Sequence, residues 1–290
     1  MINKITLVNG AKIIDNKYVR KIKKSDVRNI YSYLSSRSFN YYPEITKEDD
    51  NYIYYEYVSD IDEPAEEKLS DLILLVSLLH SKTSFYKEID IEENKYMYEE
   101  ISKNILDITN YYDNLINNID NQVYMSPANY LIARNISIIY RSLTLAKSDI
   151  DKWYKLVAES RKKRVAMTHN NLSVEHYLKS DKPYLISWDK AKIDMPLMDL
   201  VSLYKKHYLD YDFLDLFKLY FSKYPYTEDE MLLLMGILSI PSKIKNMDSE
   251  YAMVRQVRRL IDYLYKTEDL LKKYRIKQET KESDEETKKN

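Results

Sequence analysis

The sequence predicts an α+β fold in which a small, mostly β N-terminal part precedes a large helical part. Short apolar runs separated by turn residues fill the first sixty residues. From Glu66 onward apolar residues recur at intervals of three and four, which is typical of helices with one buried face. The helical pattern breaks once, at 165–192, where two buried strands are expected around a loop. We therefore predict a β-rich N-lobe at 1–58 and a helical C-lobe at 59–275.

The N-lobe is expected to be a meander of short strands with one helix. Asn9-Gly10 and Asp15-Asn16 are turn pairs between strand-like runs. Ser25-Asp26 then provides an N-cap for a helix whose apolar residues follow helical spacing. The predicted elements are strands at 4–8, 11–14, 17–22 and 52–58 and a helix at 27–34.

The C-lobe is expected to be mostly helical. Ser126-Pro127 opens one of its helices, because proline is favoured in the first helical turn. The predicted elements are helices at 66–80, 92–119, 128–147, 149–163, 197–209, 212–222, 227–239 and 248–273, with strands at 165–168 and 184–188. The segment 276–290 is charged and poor in apolar anchors, so we expect a disordered tail there.

Composition argues against several classes of function. Lys and Arg total 45 and Asp and Glu total 46, so the net charge of -1 offers no field to attract nucleic acid or an anionic membrane. The absence of cysteine excludes disulfides, thiolate metal sites and cysteine nucleophiles. No window reaches the roughly 18 apolar residues of a membrane span, and no secretory signal is evident. We therefore expect a cytoplasmic protein without nucleic-acid or membrane partners.

Two segments resemble the catalytic core of the aminoglycoside phosphotransferase and choline kinase superfamily. One runs from Thr168 to His176 with the sequence THNNLSVEH, and the other runs from Leu185 to Asp189 with the sequence LISWD. The family has a His-Gly-Asp-Leu loop that ends in Asn and an Ile-Asp-Trp/Phe-Glu strand at these places. The order of the helices at 92–163 resembles the spore-coat CotS-like branch. The resemblance implies a protein-kinase-like two-lobed fold with the catalytic-type loop at 168–189 and, through that branch only, an association with spores.

The chain departs from the family pattern at three functional positions. Asn171 stands where the resemblance places the catalytic aspartate, and an amide cannot accept a proton near neutral pH. His176 stands in place of the loop asparagine that ligates magnesium, a cation that prefers oxygen ligands. Ser187 replaces the aspartate of the metal strand. Because phosphoryl transfer depends on metal ions that neutralise the phosphates, we expect no catalytic residue, metal or other cofactor here.

Lys21 is the candidate nucleotide-binding residue. Its strand, 17–22, resembles the one that carries the family's phosphate-binding lysine. The alternative is an exposed basic strand edge, because Arg20, Lys23 and Lys24 are close neighbours. The rest of the nucleotide site is reduced: the phosphate-covering loop near 8–12 has a single glycine, and the helix at 27–34 has no glutamate to pair with Lys21.

Two acidic residues could rebuild a metal site and preserve activity. Asp189 follows Ser187 by two residues, so on a strand it would point to the same face, about 6.6 Å further along. Glu175 lies in the catalytic-type loop. ATP and magnesium are expected only under this alternative. A transition-metal site that uses His169 and His176 has little support, because no helical ligand spacing accompanies it.

Three other polar residues are expected to have structural roles. Leu79-His80-Ser81 resembles the family's Leu-His helix end, and we expect His80 to be a core or capping residue. His169 should brace the loop, as in the family. Asp199 resembles the aspartate that opens the helix after the metal strand, and it should cap that helix or brace the loop.

The sequence leaves three hypotheses of function. The favoured one is a pseudokinase, meaning a kinase-fold protein without catalysis that acts as a structural, interaction or ligand-binding protein with an unidentified protein or small-molecule partner. The second is a divergent ATP-dependent small-molecule phosphotransferase that uses Asp189 and Glu175. The third is a protein whose cleft binds a nucleotide or metabolite without chemistry and signals occupancy to a partner. Binding without a dependence on magnesium would favour the third hypothesis, and an empty, collapsed or side-chain-filled cleft would count against it.

Overall fold

The computed structural model describes residues 5–8 and 11–289, with side chains described for 11–275. The strands are β1 Ile5–Val8, β2 Ala11–Ile14, β3 Tyr18–Ile22, β4 Ile45–Glu48, β5 Tyr52–Glu56, β6 Phe85–Glu88, β7 Lys162–Thr168, β8 Tyr177–Lys179, β9 Pro183–Leu185 and β10 Lys192–Asp194. The helices are α1 Val27–Ser36, α2 Ala65–Thr83, α3 Ile91–Asp120, α4 Pro127–Val157, α5 Leu197–His207, α6 Phe213–Lys223, α7 Glu228–Ser239 and α8 Glu250–Lys289. Short 3-10 helices occupy Val174–His176 and Trp188–Lys190.

The N-terminal strands form a five-stranded antiparallel sheet in the order β1-β2-β3-β5-β4. The turn between β2 and β3 places Asp15 and Asn16 at φ 53° and 51°, and Lys17 N donates to Ile14 O at 3.0 Å. Asp and Asn tolerate this left-handed conformation better than other non-glycine residues, which explains why the predicted turn forms there. The predicted meander is therefore confirmed.

Strand β4 is absent from the sequence prediction. Its four residues, Ile-Thr-Lys-Glu, carry only one large apolar side chain, and the strand forms the edge of the sheet beside β5. An irregularity in the register lies between Ile45 and Lys47. A short polar edge strand is defined by its hydrogen-bonded neighbour more than by its own pattern, so periodicity alone does not reveal it.

Two smaller sheets surround the predicted catalytic-type loop. One has the order β10-β7-β6, and the other is the hairpin β8-β9. The strand predicted at 165–168 is confirmed within β7. The strand predicted at 184–188 is wrong beyond Leu185, because Ser187 adopts the left-handed region at φ 69°, ψ 49° and the chain then forms a 3-10 turn.

The helices predicted at 128–147 and 149–163 form a single helix, α4, which ends at Val157. Asp149 lies inside this helix, is 5% exposed and accepts a hydrogen bond from Arg275 Nη2 at 2.6 Å. A tertiary partner therefore satisfies a polar side chain in the interior of the helix. The residues that follow enter β7 at Lys162, so the predicted helical end is also wrong.

The chain divides into two compact units. One comprises Met1–Lys87, Arg164–Lys206 and Asp215–Pro225, and the other comprises Glu88–Lys163, His207–Leu214 and Tyr226–Asn290. In the first unit the large side chains of Phe39, Tyr177 and Trp188 are almost fully buried. Each unit contains several separate stretches of the chain, whereas each predicted lobe, 1–58 and 59–275, is one continuous stretch. The units therefore do not test the lobe boundary, which stays a prediction.

The second unit is a helical assembly in which α4 packs against α3, α7 and α8. The backbone of α8 is helical as far as Lys289, whereas the sequence predicts a disordered tail at 276–290. Glu and Lys at helical spacing favour a helical backbone without requiring that it be packed, so the tail's disorder stays a prediction. No helix in residues 11–289 combines the length and apolar character needed to cross a membrane.

Gly236 allows the close packing of α7 on α4. A Cβ atom at this position would lie 2.6 Å from Ile150 Cδ1 and 2.7 Å from Ile150 Cγ1. Overpacking of this kind costs about 1–3 kcal/mol, more than the roughly 1 kcal/mol that alanine gains over glycine in a helix. We therefore expect Gly236→Ala to lower the free energy of unfolding, measured by chemical denaturation.

The effect of the clash on stability can be separated from other effects of the substitution by making the same change in a second variant. In Ile150→Ala, which lacks both clashing atoms, the same Gly236→Ala change should be neutral or stabilising. An equal loss of stability in both backgrounds would contradict this account of Gly236.

Candidate functional site

The first unit brings together Lys21 and Ser187, two residues that the sequence analysis places at the candidate site. Lys21 lies on β3, Ser187 follows β9, and Lys21 Nζ donates to Ser187 Oγ at 2.8 Å. The two residues are 166 positions apart in the sequence. The serine hydroxyl is therefore in direct hydrogen-bond contact with the lysine.

These two residues lie at a cavity of about 300 Å³ within the first unit. Apolar side chains from β2 and β3 line one part, and residues from the hairpin and the segment after it line another; they include Ile13, Val19, Leu178 and Ile186. The polar lining includes Lys21, Glu175, His176 and Ser187. The cavity is thus open and has a mostly apolar body with a polar end, a common composition for small-molecule sites.

The segment after β5 is held against the hairpin next to this cavity. Ile61 N donates to Lys179 O, and Lys179 N donates to Asp60 Oδ1, both at 2.8 Å. Val58 lines the cavity, and its amide and carbonyl take part in no backbone–backbone hydrogen bond between described residues. Backbone groups without a backbone partner need another hydrogen-bond partner, and a polar ligand beside the apolar walls can provide one.

The catalytic-type loop is held by one buried carboxylate. Asp199, in the first turn of α5, accepts hydrogen bonds from His169 N at 2.8 Å and Asn170 N at 2.7 Å. Asn170 has φ 54°, a left-handed conformation that asparagine tolerates better than most other non-glycine residues. Asp199 also contacts His80 Nε2 at 3.1 Å, so its predicted role as a brace is confirmed.

His80 is a fully buried structural residue, as predicted. Its Nδ1 lies 2.7 Å from Tyr220 Oη and its Nε2 faces Asp199. The two ring nitrogens therefore connect α2 with α6 and with the first turn of α5. His80 contributes to the support of the loop and does not line the cavity.

His169 braces the other side of the loop. Its Nε2 lies 2.8 Å from Ile186 O, which can only accept, so Nε2 carries the proton. The ring also packs against Trp188 with centroids 4.9 Å apart. Burial lowers the pKa of His169 to about 4, so the ring is neutral at physiological pH. The predicted scaffold role is confirmed.

His176 lines the cavity beside Glu175. Its Nδ1 lies 2.6 Å from Asn171 O, so Nδ1 carries the proton. Burial lowers the pKa of His176, and the hydrogen bond to Asn171 partly opposes that effect. Asn171 itself does not line the cavity. Of the three positions that the sequence analysis predicts to be degenerate, His176 and Ser187 therefore line the cavity and Asn171 does not.

The alternative metal residues lie in different positions. Asp189 is in the 3-10 turn after Ser187, so the prediction that both share one strand face is wrong. Asp189 does not line the cavity, although its charge raises the pKa of Lys21. Glu175 does line it and pairs with Lys206 at 3.6 Å. Within the described residues, no three His, Asp or Glu side chains are grouped to hold a metal ion.

Lys21 is not on a strand edge. Strand β3 lies between β2 and β5, and Lys21 is in register with Ile53 of β5. The alternative explanation of this residue as basic edge protection is therefore wrong. Burial lowers the pKa of Lys21, Asp189 opposes this, and Lys24 adds a smaller lowering effect. The predicted phosphate-covering loop at 8–12 includes residues 9 and 10, which lie outside the described residues.

Two tyrosines that sequence analysis assigned no site role also line the cavity. Tyr31 of α1 is almost fully buried and stacks on Tyr42 with ring centroids 3.9 Å apart. Tyr55 of β5 lines the same cavity, and burial raises the pKa of both Tyr31 and Tyr55. The sequence placed Tyr31 on the buried face of its helix, but a pattern of burial does not distinguish a core tyrosine from one that borders a cavity.

Solved structures provide the comparison for this fold. An aminoglycoside phosphotransferase from Alicyclobacillus acidocaldarius superposes with a TM-score of 0.68, covering 96% of this chain and 92% of that chain at 11% identity. The chain has a protein-kinase-like fold. A glucosamine kinase superposes with a TM-score of 0.51 at 10% identity, covering 94% of this chain and 76% of that chain. At these identities the likeness shows the kinase-like fold and no activity.

No protein-family model matches the sequence, and no curated protein matches it. The predicted fold class, a small β-rich lobe with a large helical lobe, is confirmed by the structural likeness.

The brace formed by Asp199 can be tested by a one-atom change. In Asp199→Asn the amide nitrogen cannot accept the backbone hydrogen bonds of both His169 and Asn170, so one buried donor loses its partner. We expect a loss of about 3 kcal/mol or more in the free energy of unfolding. The matched control is Asp215→Asn at an exposed pair with Lys218, which should change stability by less than about 0.5 kcal/mol. Equal effects of the two changes would contradict the brace.

The neutral state of His169 predicts a pH dependence of stability. The folded pKa of about 4 is below the unfolded value of 6.5, so the unfolded state binds the proton first as pH falls. Stability is fully present above pH 6.5 and falls by about 3 kcal/mol as the pH approaches 4. His169→Gln removes this titration. Between pH 7 and pH 4, the free energy of unfolding of the variant should therefore fall by about 3 kcal/mol less than that of the wild type, measured by chemical denaturation at both pH values. Equal losses of stability in both proteins would contradict this account, because they would mean that the pKa of His169 is the same in the folded and unfolded states.

Proposed function

We propose that this chain is a kinase-fold protein that binds a small ligand in its cavity and does not transfer phosphate. The observation that supports the proposal is the composition of the polar end of the cavity. Lys21 is retained, but its nearest partner is the Ser187 hydroxyl, and His176 stands where an oxygen ligand for magnesium is expected. The cavity remains open between apolar walls, which supports binding in the absence of chemistry.

The missing carboxylates argue against transfer for a physical reason. Phosphoryl transfer from a nucleotide needs an ion that neutralises the phosphate oxygens and a group that orients the attacking hydroxyl. Neither an amide at 171 nor a hydroxyl at 187 supplies the negative charge that holds such an ion. Imidazole at 176 is a poor ligand for magnesium, which prefers oxygen. Three neutral replacements in one site therefore remove both requirements together.

The fold and the lining favour a nucleotide-like ligand. The apolar walls and the free backbone groups of Val58 suit a flat heteroaromatic ring, and Lys21 suits an anionic group. In this role the protein would report occupancy of the cavity to a protein partner. The CotS-like branch and a spore association rest on likeness of sequence layout alone, and cytoplasmic location likewise remains a proposal.

A divergent phosphotransferase is the second candidate function. Glu175 lines the cavity, and the charge of Asp189 acts on Lys21, so two acids lie in or near the site. Glu175 is engaged by Lys206, and Asp189 does not line the cavity, which makes the pair a weak metal site. The named neighbours include an aminoglycoside phosphotransferase and a glucosamine kinase, so an amino sugar is the acceptor to test.

The proposal predicts no phosphate transfer by the wild-type chain. Incubation with magnesium-ATP and an aminoglycoside, choline or glucosamine should yield ADP at the rate of the buffer alone, measured by a coupled assay. Restoring the family's acids and amide with Asn171→Asp, His176→Asn and Ser187→Asp should create a magnesium-dependent rise in thermal midpoint with ATP. Turnover by the wild type that disappears in Asp189→Ala would overturn the proposal in favour of the second candidate.

A further inference from the structure

The ammonium group of Lys21 lines the cavity without a carboxylate of the described residues in contact with it. Lys21 forms no ion pair within the described part of the chain, and its one hydrogen-bond partner there is the neutral Ser187 hydroxyl. Asp189 acts on Lys21 from a longer range only. A partly buried ammonium group without a carboxylate in contact is costly, and an anion from solution would offset that cost.

The acids that line the same cavity are engaged elsewhere. Asp60 pairs with Lys68, Glu175 pairs with Lys206, and Glu56 accepts a hydrogen bond from Glu44 N at 3.0 Å. Asp60 and Glu175 are therefore paired with lysines, and Glu56 accepts a backbone N–H group. Lys21 is the cationic group of the described lining, and no acid of that lining contacts it.

The positive charge and the volume of the cavity limit the charge and size of a ligand. A triphosphate carries about four negative charges, which in kinases are neutralised largely by metal ions. One lysine and a hydroxyl match a single anionic group much better. The volume of about 300 Å³ is at the lower end of the range for small-molecule sites, roughly 300–1000 Å³, which also favours a compact ligand.

We propose that the cavity binds a nucleoside monophosphate, or a similar flat ligand with one anionic group, without any metal ion, and that Lys21 and Ser187 hold the anion. The flat ring lies between the walls that include Val19 and Leu178. This inference rests on the proposed function, because it assigns the ligand class of the same cavity. It differs from ordinary kinase binding in that the lysine replaces the metal as the counter-charge.

The test compares adenosine, AMP and ATP as probes in calorimetry, each with EDTA and again with magnesium. A charge-assisted hydrogen bond is worth a factor of roughly 10 to 100 in affinity. AMP should therefore bind by that factor more tightly than adenosine in EDTA, and magnesium should leave AMP binding unchanged. Equal affinity for adenosine and AMP, a requirement for magnesium, or no binding of any probe would each overturn the inference.

Two lysine variants, one at the cavity and one at an exposed position, are compared as test and matched control. Lys21→Met should reduce AMP to the affinity of adenosine, while Lys24→Met, at an exposed position in the same basic run, should preserve the difference. The comparison of probes on the wild type remains decisive if Lys21→Met does not fold. Failure of the proposed function is seen separately as ADP formation from magnesium-ATP, which can occur whether or not AMP binds.

Discussion

The buried carboxylate of Asp199 is the interaction on which the arrangement of the site depends. It accepts the backbone N–H groups of His169 and Asn170, and those two bonds hold Asn170 in its left-handed conformation. His169 is thereby placed to donate to Ile186, the residue before Ser187. One acid in the first turn of α5 thus determines, through two hydrogen-bonded steps, where the serine meets Lys21.

The residues of this brace are different from the residues that would take part in phosphoryl transfer. Asp199 and His169 are fully buried and satisfy backbone groups, so their removal would leave buried donors or acceptors unpaired. Asn171 and Ser187, in contrast, do not take part in the hydrogen bonds of the brace with their side chains. Their neutral side chains can therefore change without leaving a buried group of the brace unpaired.

The sequence predicted the parts of the molecule that follow from local patterns. Turn residues at 15–16 and helical periodicity defined most strands and helices, and the resemblance to kinase motifs singled out Lys21 and Ser187 as separate site positions. It could not reveal β4, which depends on its neighbour, or the continuity of α4 through Asp149, whose partner Arg275 is distant in sequence. The sequence did not predict the left-handed turn at Ser187 for a similar reason, because the hydrogen bonds that define this loop come from several elements.

The environment of Lys21 is the feature that the internal interactions of the chain explain least. Its strand is central in the sheet, so protection of an edge does not account for the charge. Burial lowers its pKa, and the hydroxyl of Ser187 cannot neutralise it. A methionine of similar length would fill the same space without desolvating a charge. The cost of burying this ammonium group would therefore be offset by a ligand that carries a negative charge.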